Sequence, residues 1–194
     1  MKSFRMYSLM LIASLVGLWF GGCDQTVKSN SIRRDSIRRD FFHIGTIQHK
    51  AEFGDVSAQL ELGLLYRNGD GVPRNYKEAV KWFMKAAEKG NESAQLYLGE
   101  MYTKGDGVPK DDKEAVKWFM KAARQGNATL QFQLGQMYAN GQFVRKDYIH
   151  AYAWFNLAAS NGIDDAKEFR DSLEANMTPL QILKAQELSR ELLK

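Results

Sequence analysis

Asn68, Asp70 and Gly71 stand where a calcium loop of the EF-hand kind places its third, fifth and sixth residues, so metal chemistry is the first possibility to weigh. It fails on ligand count. Position one would be Tyr66 and position twelve Lys77, where the ion needs a monodentate and a bidentate carboxylate. In a second copy of the stretch those places hold Tyr102 and Lys113, and position three becomes Lys104. One aspartate beside a lysine does not hold a divalent cation.

Other chemistries find no better footing. His43, His49 and His150 are not paired with Cys, Asp or Glu at a metal-ligand spacing such as HExxH. There is no GxSxG elbow and no phosphate-cradling loop after a strand. Cys23 is the only cysteine, with no base beside it in sequence. Glu78 with Lys81 and Glu114 with Lys117 have the spacing of ion pairs on a solvated helix face. Fold alone does not exclude a site assembled from distant positions, but few polar residues here are free of repeat duties. The expectation is a protein with no catalytic residues, no metal site, no cofactor and no small-molecule substrate.

The calcium-like stretch recurs because the chain repeats with a period of 36 residues. Gly63, Gly99 and Gly135 keep this spacing, as do Tyr66, Tyr102 and Tyr138, and Gly69, Gly105 and Gly141. So do Trp82, Trp118 and Trp154, the pairs Ala86–Ala87, Ala122–Ala123 and Ala158–Ala159, and Gly90, Gly126 and Gly162. Within one period, "DVSAQLELGLLYRNG" (55–69) puts Ala58, Leu62 and Tyr66 four apart with Gly63 beside them, which is one helix face. Glycine inside a helix costs about 1 kcal/mol relative to alanine. Its return at every period implies a neighbouring helix too close for a Cβ.

"GDGVP" then ends the first helix and turns the chain. "NYKEAVKWFMKAAEKG" (75–90) carries Ala79, Trp82, Phe83, Ala86 and Ala87 at spacings of three and four and stops at Gly90. Asn91, Asn127 and Asp111 sit where helix starts need caps. A single helix pair cannot bury its own apolar face, whereas stacked copies can. The bulky Trp and Phe of one unit are expected to fill space left by Gly and Ala of the next.

The unit resembles the Sel1-like repeat, a relative of the tetratricopeptide repeat. The resemblance rests on "AQLELGLLYRNGDGVPRNYKEAVKWFMKAAEKGN" and "AQLYLGEMYTKGDGVPKDDKEAVKWFMKAARQGN". A third copy, "LQFQLGQMYANGQFVRKDYIHAYAWFNLAASNG" (130–162), replaces the small alanine by Leu130 and "GDGVP" by "GQFVR". A fourth begins at "IDDAKEFRDSL" (163–173) and drifts. The resemblance implies an all-α, right-handed α-solenoid of helix-turn-helix repeats, three plus a partial fourth, over residues 55–173. Residues 41–54 read as a worn cap helix, since one period lays Ile47 on Phe83, Ala51 on Ala87 and Gly54 on Gly90. Residues 174–194 read as a capping helix: Thr178, Pro179 and Gln181 form a start signal, and Leu180, Leu183, Leu188 and Leu192 an apolar stripe.

Residues 1–22 have a signal-peptide layout, with Lys2 and Arg5 followed by an apolar run and then Gly21 and Gly22. "FGGC" resembles a bacterial lipobox, which implies lipidation of Cys23 and a membrane anchor on the periplasmic side of the envelope. The alternative is an uncleaved anchor helix, or an incidental cysteine after an ordinary signal. Asp24, by resemblance to enterobacterial lipoproteins, favours the inner membrane over the outer. Residues 23–40, with "SIRRD" written twice, form a polar, basic tether. It is either a solvated linker or an arm resting on anionic headgroups.

Residues 24–50 carry six Lys/Arg against three Asp/Glu, and residues 51–194 nineteen against twenty. The positive charge therefore lies outside the repeats, which argues against nucleic acid as a partner. What remains is surface. By resemblance to tetratricopeptide arrays, the first helices line a concave groove for another protein. Their non-core positions are Leu60, Leu64, Arg67 and Asn68, then Leu96, Glu100 and Lys104, then Phe132, Gln136 and Asn140. Leu60, Leu96 and Phe132 form an apolar series that either contacts the partner or packs on the adjoining helix. Two roles are open: a scaffold or adaptor of an envelope complex, or an immunity protein that neutralises a secreted toxic effector such as a phospholipase.

Overall fold

The computed structural model describes residues 43–192; the signal-like segment, Cys23 and the tether lie outside them. The chain divides into two compact units, Met1–Thr46 and Ile47–Lys194. Of the first, only residues 43–46 are described, and they are helical. Every regular element among the described residues is a helix, beginning with α1 over 43–52. Three pairs follow: α2 (Val56–Asn68) with α3 (Tyr76–Glu88), α4 (Glu92–Lys104) with α5 (Asp112–Ala123), and α6 (Ala128–Asn140) with α7 (Tyr148–Ser160). Then come α8 (Asp164–Glu174) and α9 (Pro179–Leu192). None of the described helices is long and apolar enough to cross a membrane.

Local chemistry sets the boundaries. Asp55, Asn91 and Asn127 cap the first helices, each accepting from the backbone N–H three residues on, at 2.7, 2.9 and 3.0 Å. Asn75, Asp111 and Asp147 cap the second helices, each accepting from two backbone N–H groups. Gly69, Gly105 and Gly141 end the first helices in the left-handed region, with φ of 83°, 80° and 72°. Each turn closes when the N–H of Asn75, Asp111 or Asp147 donates to the carbonyl of Tyr66, Tyr102 or Tyr138.

The third turn keeps this path without its second glycine. Gly71 and Gly107 have φ of 70° and 74°, and Phe143 in "GQFVR" has 64°. A side chain in that region costs roughly 1–2 kcal/mol. Phe143 offsets this by lying half-buried against the cluster that holds Phe119 and Trp154.

The packing corrects the expected direction of the interlock. The glycine hollows are filled from within the repeat: an ideal Cβ at Gly63, Gly99 or Gly135 would lie 2.5, 2.3 or 2.5 Å from the ring of Phe83, Phe119 or Phe155. The tryptophans serve the junctions, and they look backwards along the chain. Trp82 clusters with Ala51, Trp118 with Ala86 and Ala87, and Trp154 with Ala122 and Ala123. Trp82 and Phe83 are consecutive, so they leave the helix about 100° apart and meet different neighbours.

At the N-terminal side Ile47 and Ala51 of α1 are buried, and Gly54 is left-handed (φ 93°) like Gly90 (φ 87°), as the shifted register requires. At the other end α8 packs on α7 as a first helix would, but α9 packs on α7 as well. The Thr178–Gln181 capping box forms: the N–H of Thr178 donates to Gln181 Oε1 at 2.9 Å, and that of Gln181 to Thr178 Oγ1 at 3.3 Å. The apolar stripe of α9 differs from the one expected. Leu180 and Leu183 are 60% and 49% exposed, while Ala185, Ser189 and Leu192 are buried. Spacings of four and three from Ala185 set the face that α7 meets.

Candidate interaction face

No three of the described His, Cys, Asp and Glu residues converge to hold a metal ion. In the calcium-like loop, Asn68 Nδ2 donates to Asp70 Oδ2 at 3.1 Å. His150 Nδ1 lies 2.8 Å from Asp147 Oδ2, and its ring stacks on Tyr138 with centroids 4.8 Å apart. Partial burial raises the Asp147 carboxyl, but the backbone N–H and ring of His150 outweigh it, aided by the N–H of Ile149, and the net shift is down. Burial, with the Asp147 charge adding to it, pushes the Tyr138 hydroxyl up. This set works as a helix cap: Asp147 Oδ1 holds the first turn of α7.

The first helices carry the residues predicted to meet a partner. Leu60 and Leu64 are half-buried against the cluster containing Phe83 and Trp118. Leu96 is half-buried against the next cluster, and Phe132 against the one after. Each member of the apolar series thus has one side on the core and another open. Phe132 meets the rings of Phe155 and Phe169 at 5.5 and 5.4 Å.

The structure brings two predicted residues together across adjacent repeats. Arg67 Nη2 donates to Glu100 Oε2 at 3.1 Å, and the Arg67 guanidinium lies 4.7 Å from the centroid of Tyr97. Asn68, Lys104 and Asn140 are exposed and Gln136 is half-buried. The face therefore has an apolar middle and a polar, partly paired margin.

Several residues that position this face escaped the sequence reading. Gln59, Gln95 and Gln131 are buried, and their Nε2 atoms donate to the carbonyls of Ala51, Ala87 and Ala123 at 3.0, 3.0 and 2.9 Å. These amides tie each first helix to the end of the helix before it. Gln125 and Asn161 complete the second and third clamps by donating to Gln95 and Gln131 Oε1 at 2.9 and 2.8 Å. The signal was there, since the three glutamines keep the 36-residue step one place after Ala58, Ala94 and Leu130. Lys85 and Lys121 also lie over the Trp82 and Trp118 rings, at 3.9 and 3.8 Å from the centroids.

Comparison with known proteins agrees with this architecture. The family model described as Sel1 repeat matches residues 56–91, 92–127 and 128–163. Among solved structures, a protective antigen of uropathogenic Escherichia coli displaying an SLR fold is 40% identical, with a TM-score of 0.59. That match covers 77% of this chain and 32% of the antigen. A Sel1 repeat protein from Oxalobacter formigenes is also 40% identical, with a TM-score of 0.57, over 67% of this chain and 98% of its own. No curated protein matches the chain.

Proposed function

Because the chain belongs to the Sel1 repeat family, we propose that it is a non-catalytic module that binds another protein through its first-helix face. The observation that carries this reading is the series Leu60, Leu96 and Phe132, repeated every 36 residues and left half-open on helices otherwise anchored to the core. A half-open apolar series with a polar margin gains by covering its remaining surface. The same reading places the module at a bacterial membrane, facing the periplasm. It is held there by lipid on Cys23, on the strength of the "FGGC" motif and the apolar run before it. Asp24 favours the inner membrane. The role in view is scaffold or adaptor of an envelope complex.

The test is affinity capture from envelope fractions with mass spectrometry, followed by the triple variant Leu60→Asp, Leu96→Asp and Phe132→Asp. The variant is expected to lose at least about tenfold in affinity for the captured partner, with helical circular dichroism retained. Unchanged affinity in that folded variant rejects the face. Cys23→Ser is expected to move the protein from the membrane pellet to the soluble fraction, and continued pelleting counts against lipidation. A captured partner that is a toxic enzyme, inhibited one-to-one, would reassign the module as an immunity protein.

A further inference from the structure

Between the last helix pair and the closing helix lies a cleft of about 270 Å³, lined by Asn156, Leu157 and Ser160 of α7 and by Gln186, Ser189 and Arg190 of α9. A space of that size takes one amino-acid-sized group rather than a drug-sized ligand. Each helix brings polar side chains four residues apart, Asn156 with Ser160 and Gln186 with Arg190, so one edge of each helix faces the cleft. Leu157 and Ser189 are its buried members. The earlier pairs lack this lining. Asn156, Leu157 and Ser160 stand where Met120, Lys121 and Arg124 stand one period before, and Met84, Lys85 and Glu88 two periods before. Long or charged side chains have given way to shorter or uncharged ones, which leaves room beside α9.

The polar groups of the cleft are unevenly engaged. Ser189 Oγ donates to the carbonyl of Ala185 at 2.9 Å, and Ser160 Oγ to that of Asn156 at 2.9 Å, so neither hydroxyl proton is free. Asn156 Oδ1 accepts from Arg170 Nη1 at 3.2 Å, which leaves Asn156 Nδ2 as a donor. Arg190 is the only ionisable residue in the lining. Its side chain and that of Gln186 make no hydrogen bond or ion pair with another described residue. Glu187 and Glu191, the acidic neighbours of Arg190 on α9, do not line the cleft.

We propose that this cleft binds a carboxylate-bearing amino-acid residue, with Arg190 holding the carboxylate and Asn156 and Gln186 supplying further N–H donors. A guanidinium offers paired N–H groups that match the two oxygens of a carboxylate. Leu157 supplies an apolar surface for the carbon chain behind it. A cationic ligand is repelled by Arg190, and an uncharged one leaves the guanidinium unanswered. The carbonyl ends of α7 and α9 lie within a turn of Ser160 and Arg190 and oppose a bare anion. The paired bond has to outweigh them, which favours a planar carboxylate over a spherical ion such as chloride. None of the six residues lies on the first-helix face, so this is a second site, and its fate leaves that face untouched.

The carboxylate can belong to a chain terminus or to an acidic side chain, and the probes separate the two. The full chain is titrated at low salt with N-acetyl-L-alanine, with N-acetyl-L-glutamic acid α-amide, and with the uncharged N-acetyl-L-alaninamide. The backbone amide signals of Leu157 and Ser189 and the Nε–H signal of Arg190 report binding. The expected result is a saturable shift at all three, at least about fivefold tighter for a carboxylate probe than for the uncharged amide. Preference for the first probe assigns a chain terminus, and preference for the second an acidic side chain. Arg190→Gln should abolish saturation at Leu157 and Ser189 with the thermal midpoint unchanged, since Arg190 is exposed and unpaired. Ser160→Leu should abolish it too, by filling the cleft while the cation stays. A linear response, equal affinity for the uncharged amide, or saturation that survives Arg190→Gln overturns the proposal. Saturation that survives Ser160→Leu would put the anion on Arg190 outside the cleft, and overturns it as well.

Discussion

Phe83, Phe119 and Phe155 each approach a helical glycine so closely that an added Cβ would lie 2.5, 2.3 and 2.5 Å from the ring. Gly99→Ala should therefore destabilise by about 1–3 kcal/mol through overpacking, although alanine is the better helix former by about 1 kcal/mol. Chemical denaturation measures this directly, and a neutral or stabilising result would mean the Phe119 ring yields freely. Gly45 provides the contrast: it is helical with nothing within 4 Å of an added Cβ, so only the propensity gain remains there. The glycine requirement was legible as a residue that recurs against its own propensity. The identity of its neighbour was not, because Trp82 and Phe83 are equally bulky and adjacent. Only the helix rotation tells which of them meets the glycine. The glutamine clamps were missed for a related reason. A polar residue on a buried face looks like an exception until its carbonyl partner, eight residues upstream, is seen at 3.0 Å.

The helix boundaries followed from their caps and glycines almost to the residue, since each start needs an acceptor and each end a left-handed position. Phe143 is the informative exception. The loss of glycine from "GQFVR" left the turn open to another geometry, yet the backbone keeps φ at 64°. Two neighbouring helices, already fixed by Gly141 and Asp147, leave the connection little choice. Phe143→Ala should cost stability through lost burial while retaining the backbone strain. Phe143→Gly loses the same ring but relieves the strain, so it should melt above the alanine variant by an amount corresponding to about 1 kcal/mol. Thermal melts of the pair decide this; equal midpoints would show that the turn has relaxed away from the left-handed region. Sequence reasoning placed half of the stripe of α9: Leu188 and Leu192 join the Trp154 cluster, whereas Leu180 and Leu183 are exposed and the buried Ala185 and Ser189 were passed over. Close helix packing prefers small residues, and hydrophobicity alone does not report that.

Across the described residues, Trp82, Trp118 and Trp154 each join a helix pair to the helix or pair before it, and stability is therefore shared between neighbours rather than concentrated in one core. The last repeat has no following tryptophan: Ala158 clusters with Ala166 of α8 instead, and α9 closes another side of α7, where Leu192 joins the cluster of the fully buried Trp154. A chain ending at Met177 should expose Tyr152, Ala153 and Leu157, lower the melting midpoint and self-associate in sedimentation. Retention of a monomer with the full-length melt would show that α9 is dispensable.

Ala153 and Leu157 are the counterparts of Lys81 and Lys117, and of Lys85 and Lys121, on the earlier helices. The closing helix thus rests on positions that its predecessors leave to water. Duplicating a 36-residue block upstream of Ala128 would lengthen the array without disturbing its lid. A copy of an earlier block added after Ser160 would instead carry α8 and α9 onto a helix with lysines at those two positions, so growth by gene duplication is open on one side of the last pair and obstructed on the other.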